Sequence, residues 1–221
     1  MTETALPAAD TSAIRPAELA AYLAARMCHD FISPASAIVS GLDLLEDPTA
    51  QDMRADAMDL IGASARKLSD LLLFTRVAFG ASASAESFDA RELEKLAQGV
   101  FAHMRADLDW QVETPSVNKP TARTLLNLAQ IAGAALPTGG IAKVRAVQEG
   151  EAIAIALEAT GPRARLRPEV LAGLHGEGPG EGLHGHWVQA RYVHLFVTDA
   201  GGRVYAEVGE EKVTLTATIP A

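Results

Sequence analysis

Apolar residues recur at spacings of mostly three and four from Pro16 to Glu46: Leu19, Leu23, Met27, Pro34, Ile38, Leu42 and Leu45. That spacing draws a stripe along one side of a helix. The stretch "EDPTAQD" interrupts it with a short polar turn. A second stripe follows from Met53 through Ala57, Leu60, Ser64, Leu68, Leu71, Thr75 and Ala78. Two long amphipathic helices joined by so short a turn predict an antiparallel hairpin. One two-helix layer leaves its apolar surface in water, and a second copy completing a four-helix bundle is the economical way to cover it.

The small-residue stretch "GASASAES", residues 80–87, predicts a linker. After it the period changes repeatedly. "FDARELEKLAQGVFAHM" opens with Asp89 and Glu92 at capping-box spacing and runs on as a helix. "LDWQVE" reads as a short strand. "PTARTLLNLAQIAGAALPTGG" reads as a helix with Pro120 near its start and paired glycines after its end. "IAKVRAV" and "AIAIALEA" flank "QEGE" as a β-hairpin. "HWVQARYVHLFVTDAGG" is a further helix, and "RVYAEVGEEKVTLTATI" a last hairpin whose second strand alternates Val213, Leu215, Ala217 and Ile219. The fold class expected is α+β in two domains: a helical hairpin at residues 15–79, then an α/β sandwich at 88–221 with helices on one face of a mixed sheet. Residues 1–14 are expected to form a flexible N-terminus.

Composition narrows the function. With 221 residues, 48% hydrophobic and 21% charged, the chain has the balance of a soluble globular protein. A net charge of -9 with no basic run argues against a nucleic-acid partner or an anionic membrane surface. The single cysteine, Cys28, excludes an intramolecular disulfide framework and suits the cytoplasm. "MTETALPAADTS" lacks the basic and apolar regions of a signal peptide, and no apolar run approaches ~18 residues.

The candidate chemistry lies in "ARMCHDFISPASAI", residues 25–38. On a helix His29 lies about 200° from Met27, away from the stripe and toward solvent. An ordinary imidazole titrates near ~6.5, so a neutral, nucleophilic nitrogen is available at cellular pH. Pro34 has no N–H, so the carbonyl of Asp30 loses its helical partner and a bend is expected beside the histidine. Asp30 is placed to orient the imidazole or to favour its protonated form, although neighbours at i and i+1 do not share a helix face. Other groups carry less. His175, His184 and His186 sit among glycines, a poor preorganised metal cage, so no metal site is expected. Cys28 faces another direction than His29, Glu210 and Glu211 fall in a hairpin turn, and His103 and His194 lie in packed helices.

"HDFISP" resembles the phospho-acceptor box of two-component histidine kinases, and the hairpin around it is similar to their dimerisation and phosphotransfer domain. "TLLNLAQIAGAALPTGG" resembles their asparagine box, "LEATGPRARL" their first glycine box, and "GEGLHGHWVQARYV" with "AGGRV" the second. These matches run in order from about residue 15 to the end of the chain. The departures are as informative. The resemblance implies a Mg²⁺-holding asparagine four residues after Asn127, but Ile131 stands there and offers no oxygen. It implies an adenine-reading aspartate where Ala159 stands, and a second glycine where Arg163 stands beyond Gly161.

A kinase-like dimeric hairpin with a degenerate ATPase-like domain is similar to histidine phosphotransferases of the ChpT type. The resemblance implies a homodimer that takes a phosphoryl group on His29 from a receiver aspartate of a hybrid histidine kinase. It then passes the group to the receiver aspartates of response regulators. Asp30 assists, and Arg26, Phe31 and Ser33 are expected at the docking surface. No cofactor of its own is implied, and the receiver supplies the Mg²⁺. An active ATP-dependent kinase and a non-catalytic scaffold for regulators stand as alternatives.

Overall fold

The computed structural model describes residues 14–80, 86–179 and 185–221. The expected N-terminal tail and most of the expected linker lie outside them, as does His184. Helix α1, Pro16–Glu46, starts with proline at its first turn, where a missing N–H costs nothing, and continues unbroken through Pro34. Its end turns on Asp47, whose side chain accepts from both the backbone N–H and the hydroxyl of Thr49 at 2.7 Å. A 3₁₀ turn, Gln51–Met53, then leads into α2, Arg54–Ala78. The two helices touch where their side chains are smallest. A Cβ on Gly41 would stand 2.6 Å from Ile61 Cγ1 and 3.1 Å from the Ala57 carbonyl, so only glycine permits the approach.

Beyond the hairpin, a short antiparallel pair, β1 (Ser87–Asp89) with β3 (Ser116–Asn118), precedes two helices. Asp89 caps α3 (Ala90–Phe101) by accepting from the N–H groups of Arg91 and Glu92. Asn118 caps α4 (Lys119–Ala134) by accepting from Thr121 N at 3.0 Å. The main sheet holds β2 (Ala106–Val112), β4 (Gly140–Glu149), β5 (Ala152–Thr160), β6 (Arg203–Gly209) and β7 (Lys212–Pro220). Their order is β2-β4-β5-β7-β6, with β2 parallel to β4 and the other pairs antiparallel. Alternation turns Ile153, Ile155 and Leu157 of β5 and Val213, Leu215, Ala217 and Ile219 of β7 inward. They share one core with Leu125, Leu128 and Ala132 of α4 and with Val193 and Val197 of α6 (Gly185–Asp199). A short helix, α5 (Pro168–Leu174), packs on α6. The result is the expected two-domain α+β architecture with helices on a mixed sheet.

The junction corrects the expected use of the second stripe. Phe74, Val77 and Ala78 at the end of α2 belong to the core of the second domain, and Leu71 packs against it. Phe79 continues the contact, its ring centroid 5.5 Å from that of Tyr192. The large apolar side chains left in water are Ile32, Val39 and Leu42 on α1, Met53 at the turn, and Met58, Leu60, Leu72 and Leu73 on α2, so Leu42, Met53 and Leu60 of the two stripes stay exposed. On α1 they fall in an arc of roughly 100°, as do Met58, Leu72 and Leu73 on α2, while Leu60 lies on that helix's other side. The stripe thus drifts around the helix, its lower part sealing the hairpin to its own chain. No described helix is long and apolar enough to cross a membrane.

Candidate functional site

His29 stands on the outer side of α1 with its side chain 84% exposed. Despite the adjacent positions, Asp30 leans onto it: Oδ1 lies 3.1 Å from His29 Nδ1. A carboxylate only accepts, so this contact places the ring hydrogen on Nδ1 and leaves Nε2 with its lone pair. Nε2 takes no hydrogen bond among the described residues. The other carboxylate oxygen of Asp30, Oδ2, accepts from Arg26 Nε at 2.8 Å. Arg26 also donates through Nη1 to the Gly185 carbonyl at 2.8 Å, at the start of α6. The site is therefore walled on one side by the second domain. Between α1 and the first turn of α6 runs an open cleft of about 310 Å³, with His29 at its edge.

Of the residues expected at a docking surface, Ser33 is exposed, Phe31 half-buried, and the Arg26 side chain only 15% exposed. Arg26 is occupied within the chain by Asp30 and the Gly185 carbonyl. His186 is the residue that periodicity gave no reason to connect with the acceptor. Its Nδ1 lies 3.4 Å from Arg26 Nη1. Burial, then the charges of Arg26 and Arg167, hold its imidazole below the usual range. His103 and His194 are engaged elsewhere, with Asp70 Oδ2 and the Leu174 carbonyl, both at 2.9 Å. Cys28 is exposed.

The boxes of the second domain have been rebuilt into packing. Asn127 is fully buried, and its amide donates to the carbonyls of Ala78 and Arg123, each at 2.9 Å. Gln189 of α6 donates to Asn127 Oδ1 at 3.2 Å and to Gln130 Oε1 at 2.6 Å. The asparagine that opens the box thus ties the end of α2 to α4 and α6. Ile131 is buried with 5% exposure and Ala159 with none. Neither offers an oxygen, so the Mg²⁺–nucleotide group that a kinase domain would hold does not fit these residues. The cavity bordered by Ile131, Gln130 and Gln189 measures about 140 Å³, below the ~300 Å³ at which ligand pockets begin. Arg163 keeps a left-handed backbone, φ 61°, at the position where the resemblance implies glycine. Gly161 is still required: a Cβ there would stand 2.5 Å from the Gly139 carbonyl.

An exposed histidine on a helical hairpin, set against a helix-on-sheet domain whose asparagine box is turned to packing, is the arrangement of a phosphotransfer protein. Comparison with known proteins narrows the class. The model of the histidine phosphotransferase C-terminal domain matches residues 90–212. The protein phosphotransferase ChpT of Brucella abortus (strain 2308) is 33% identical over 201 residues, 90% of this chain and 95% of that protein. A bacterial phosphotransferase structure superimposes with a TM-score of 0.83 at 31% identity, covering 93% of this chain and 98% of that one. A nucleotide-free catalytic domain of the histidine kinase ThkA is a looser likeness, 19% identical with a TM-score of 0.47 over 61% of this chain and 93% of that one. The chain belongs to the histidine phosphotransferase family, and it is a histidine phosphotransferase of a two-component phosphorelay.

Proposed function

We propose that His29 carries the phosphoryl group. The observation that supports this reading is the exposed imidazole whose Nδ1 is held by Asp30 while Nε2 faces outward. The Nε2 lone pair attacks the phosphorus of an aspartyl phosphate on a receiver domain, and the P–O bond to the aspartyl carboxyl breaks. That carboxylate leaves with the electron pair. The ring keeps its Nδ1 hydrogen and becomes a phospho-imidazolium, its positive charge facing Asp30. The second transfer reverses these steps toward the aspartate of another receiver. The donor is the receiver of a hybrid histidine kinase, and the acceptors are response regulators in the cytoplasm. Phosphoryl transfer depends chiefly on positioning and charge neutralisation, so the receiver brings the Mg²⁺ and this chain presents the imidazole.

The working form is a homodimer. Ile32, Val39 and Leu42 on α1 and Met58, Leu72 and Leu73 on α2 are large apolar side chains with substantial exposure. A second hairpin covering them completes a four-helix bundle, and obligate interfaces of this kind bury more than about 2,000 Å².

The test is a transfer assay. Wild-type protein incubated with a radiolabelled phospho-receiver should acquire acid-labile, base-stable label, and His29→Gln should acquire none while keeping its fold. Label on His29→Gln would remove the assignment. Labelling of the wild type by ATP alone, without any receiver, would make the protein a kinase instead.

A further inference from the structure

The acid that holds the acceptor is itself held. Asp30 divides its carboxylate, Oδ1 toward His29 Nδ1 at 3.1 Å and Oδ2 toward Arg26 Nε at 2.8 Å. Successive helical residues point apart, whereas residues four apart lie on one face. Arg26 is thus the natural neighbour of Asp30, and it pins the carboxylate in the orientation from which Oδ1 reaches His29. The guanidinium is itself fixed from across the domain junction by the Gly185 carbonyl at 2.8 Å and by His186 Nδ1 at 3.4 Å. Arginine has five donors and no acceptor, so each contact is a donation, and His186 Nδ1 must present a lone pair. The Arg26 side chain is 15% exposed against 84% for His29, so it is built into the chain while the acceptor stands free.

We infer that Arg26 is a positioning residue for phosphoryl transfer. It locks Asp30 so that His29 presents Nε2, and it ties that lock to the first turn of α6. This rests on the reading of His29 as the acceptor. A helix start, a guanidinium, a carboxylate and an imidazole then form one chain of charge-assisted hydrogen bonds. The ATPase-like domain has a duty without a nucleotide: it supplies the Gly185 carbonyl and His186 that hold the acceptor's tautomer.

The experiment is a double-mutant cycle in the full chain, with single-turnover transfer from a phosphorylated receiver as the rate. Arg26→Gln should slow transfer roughly tenfold, the order expected when one positioning hydrogen bond is lost. Asp30→Asn should slow it further, and the double variant should be no slower than Asp30→Asn alone. Arg26→Lys should recover part of the rate, since one ammonium keeps the charge but cannot replace the planar fork. ¹⁵N signals of the His29 ring, read above the imidazole titration at about pH 8, should show the Nδ1–H tautomer in wild type and a mixture in Arg26→Gln.

An Arg26→Gln rate equal to wild type would overturn the inference while leaving His29 as acceptor. Multiplied effects in the double variant, or an unchanged tautomer with a slowed rate, would overturn it too by making Arg26 a partner contact. Failure of wild type itself to take label would instead be the failure of the acceptor reading. If Arg26→Gln does not fold, His186→Ala reads the contact across the junction, and a wild-type tautomer and rate in that variant would overturn the part assigned to His186.

Discussion

Helix α1 buries two of its 31 residues, Pro34 and Gly41, whereas α4 buries eleven of 16. The contrast separates two ways of being stable. The fold around α4 is completed by its own chain: sheet on one side, α3 and α6 on the others, caps at its start. The hairpin is completed only at its lower end, where Phe74, Val77 and Ala78 enter the second domain's core. Elsewhere the hairpin keeps its apolar surface outward, and His29 faces outward at the edge of the contact between α1 and α6. A histidine packed as α4 packs its residues would be unreachable by a receiver's aspartate. A sheet as open as the hairpin would not hold Gly185 and His186 in place.

The largest effect that could break this contrast is one of assembly against folding. Val39→Asp or Leu72→Asp should leave the helix content unchanged by circular dichroism yet halve the mass seen by light scattering. Leu125→Asp, at a fully buried site in α4, should unfold the second domain outright. A wild-type mass near 23 kDa would show that the hairpin needs no second copy.

Next comes the junction. Asn127→Ala strands the Ala78 carbonyl in the interior and takes from Gln189 one of its two acceptors, and should lower stability by about 2–3 kcal/mol in urea unfolding. A change below ~0.5 kcal/mol would mean that the network adds nothing to the packing around it. Smaller again, Gly41→Val should force α1 from α2 at about 1–2 kcal/mol, with amide exchange accelerated in the hairpin and not in the sheet.

The smallest expected effect is one of pH. The folded state depresses the His186 imidazole, so between the depressed value and the ordinary ~6.5 the unfolded chain binds more protons. The contribution of this residue is present above the ordinary value and lost as pH falls through the depressed one. Thermal melting at about pH 5 and about pH 7.5 should therefore differ more in wild type than in His186→Gln. Equal differences would show that protonation of His186 does not strain its contact with Arg26.

What the chain order reveals and what it hides follow from distance. The long helices and both β-hairpins are legible because their patterns repeat over several turns or alternations, as in Val213, Leu215, Ala217 and Ile219. The pair β1 and β3, three residues each, is too short for any period to register. Helix α5 is hidden likewise, seven residues opened by Pro168 and interrupted by Gly173. His29 and Asp30 are legible as a local pair, and the losses at Ile131, Ala159 and Arg163 stand out against the kinase pattern. The Arg26–Gly185 bond spans 159 positions and leaves no local trace. Leu71 carries the same apolar signal whether a second copy or the chain's own second domain covers it, so its packing against that domain's core became visible only in three dimensions.

Asn127 also bears on what it would take to build a nucleotide box here. Three substitutions, Ile131→Asn, Ala159→Asp and Arg163→Gly, would supply the kinase-like side chains in name. Asn127 itself would remain committed to the Ala78 carbonyl and to Gln189, holding the end of α2 to α4 and α6. A carboxylate at position 159, fully buried beside the sheet, would meanwhile lack a cation and weaken the fold. Asn127 is therefore a clasp shared by both domains: a change that draws its amide away loosens the hairpin and the helix layer together.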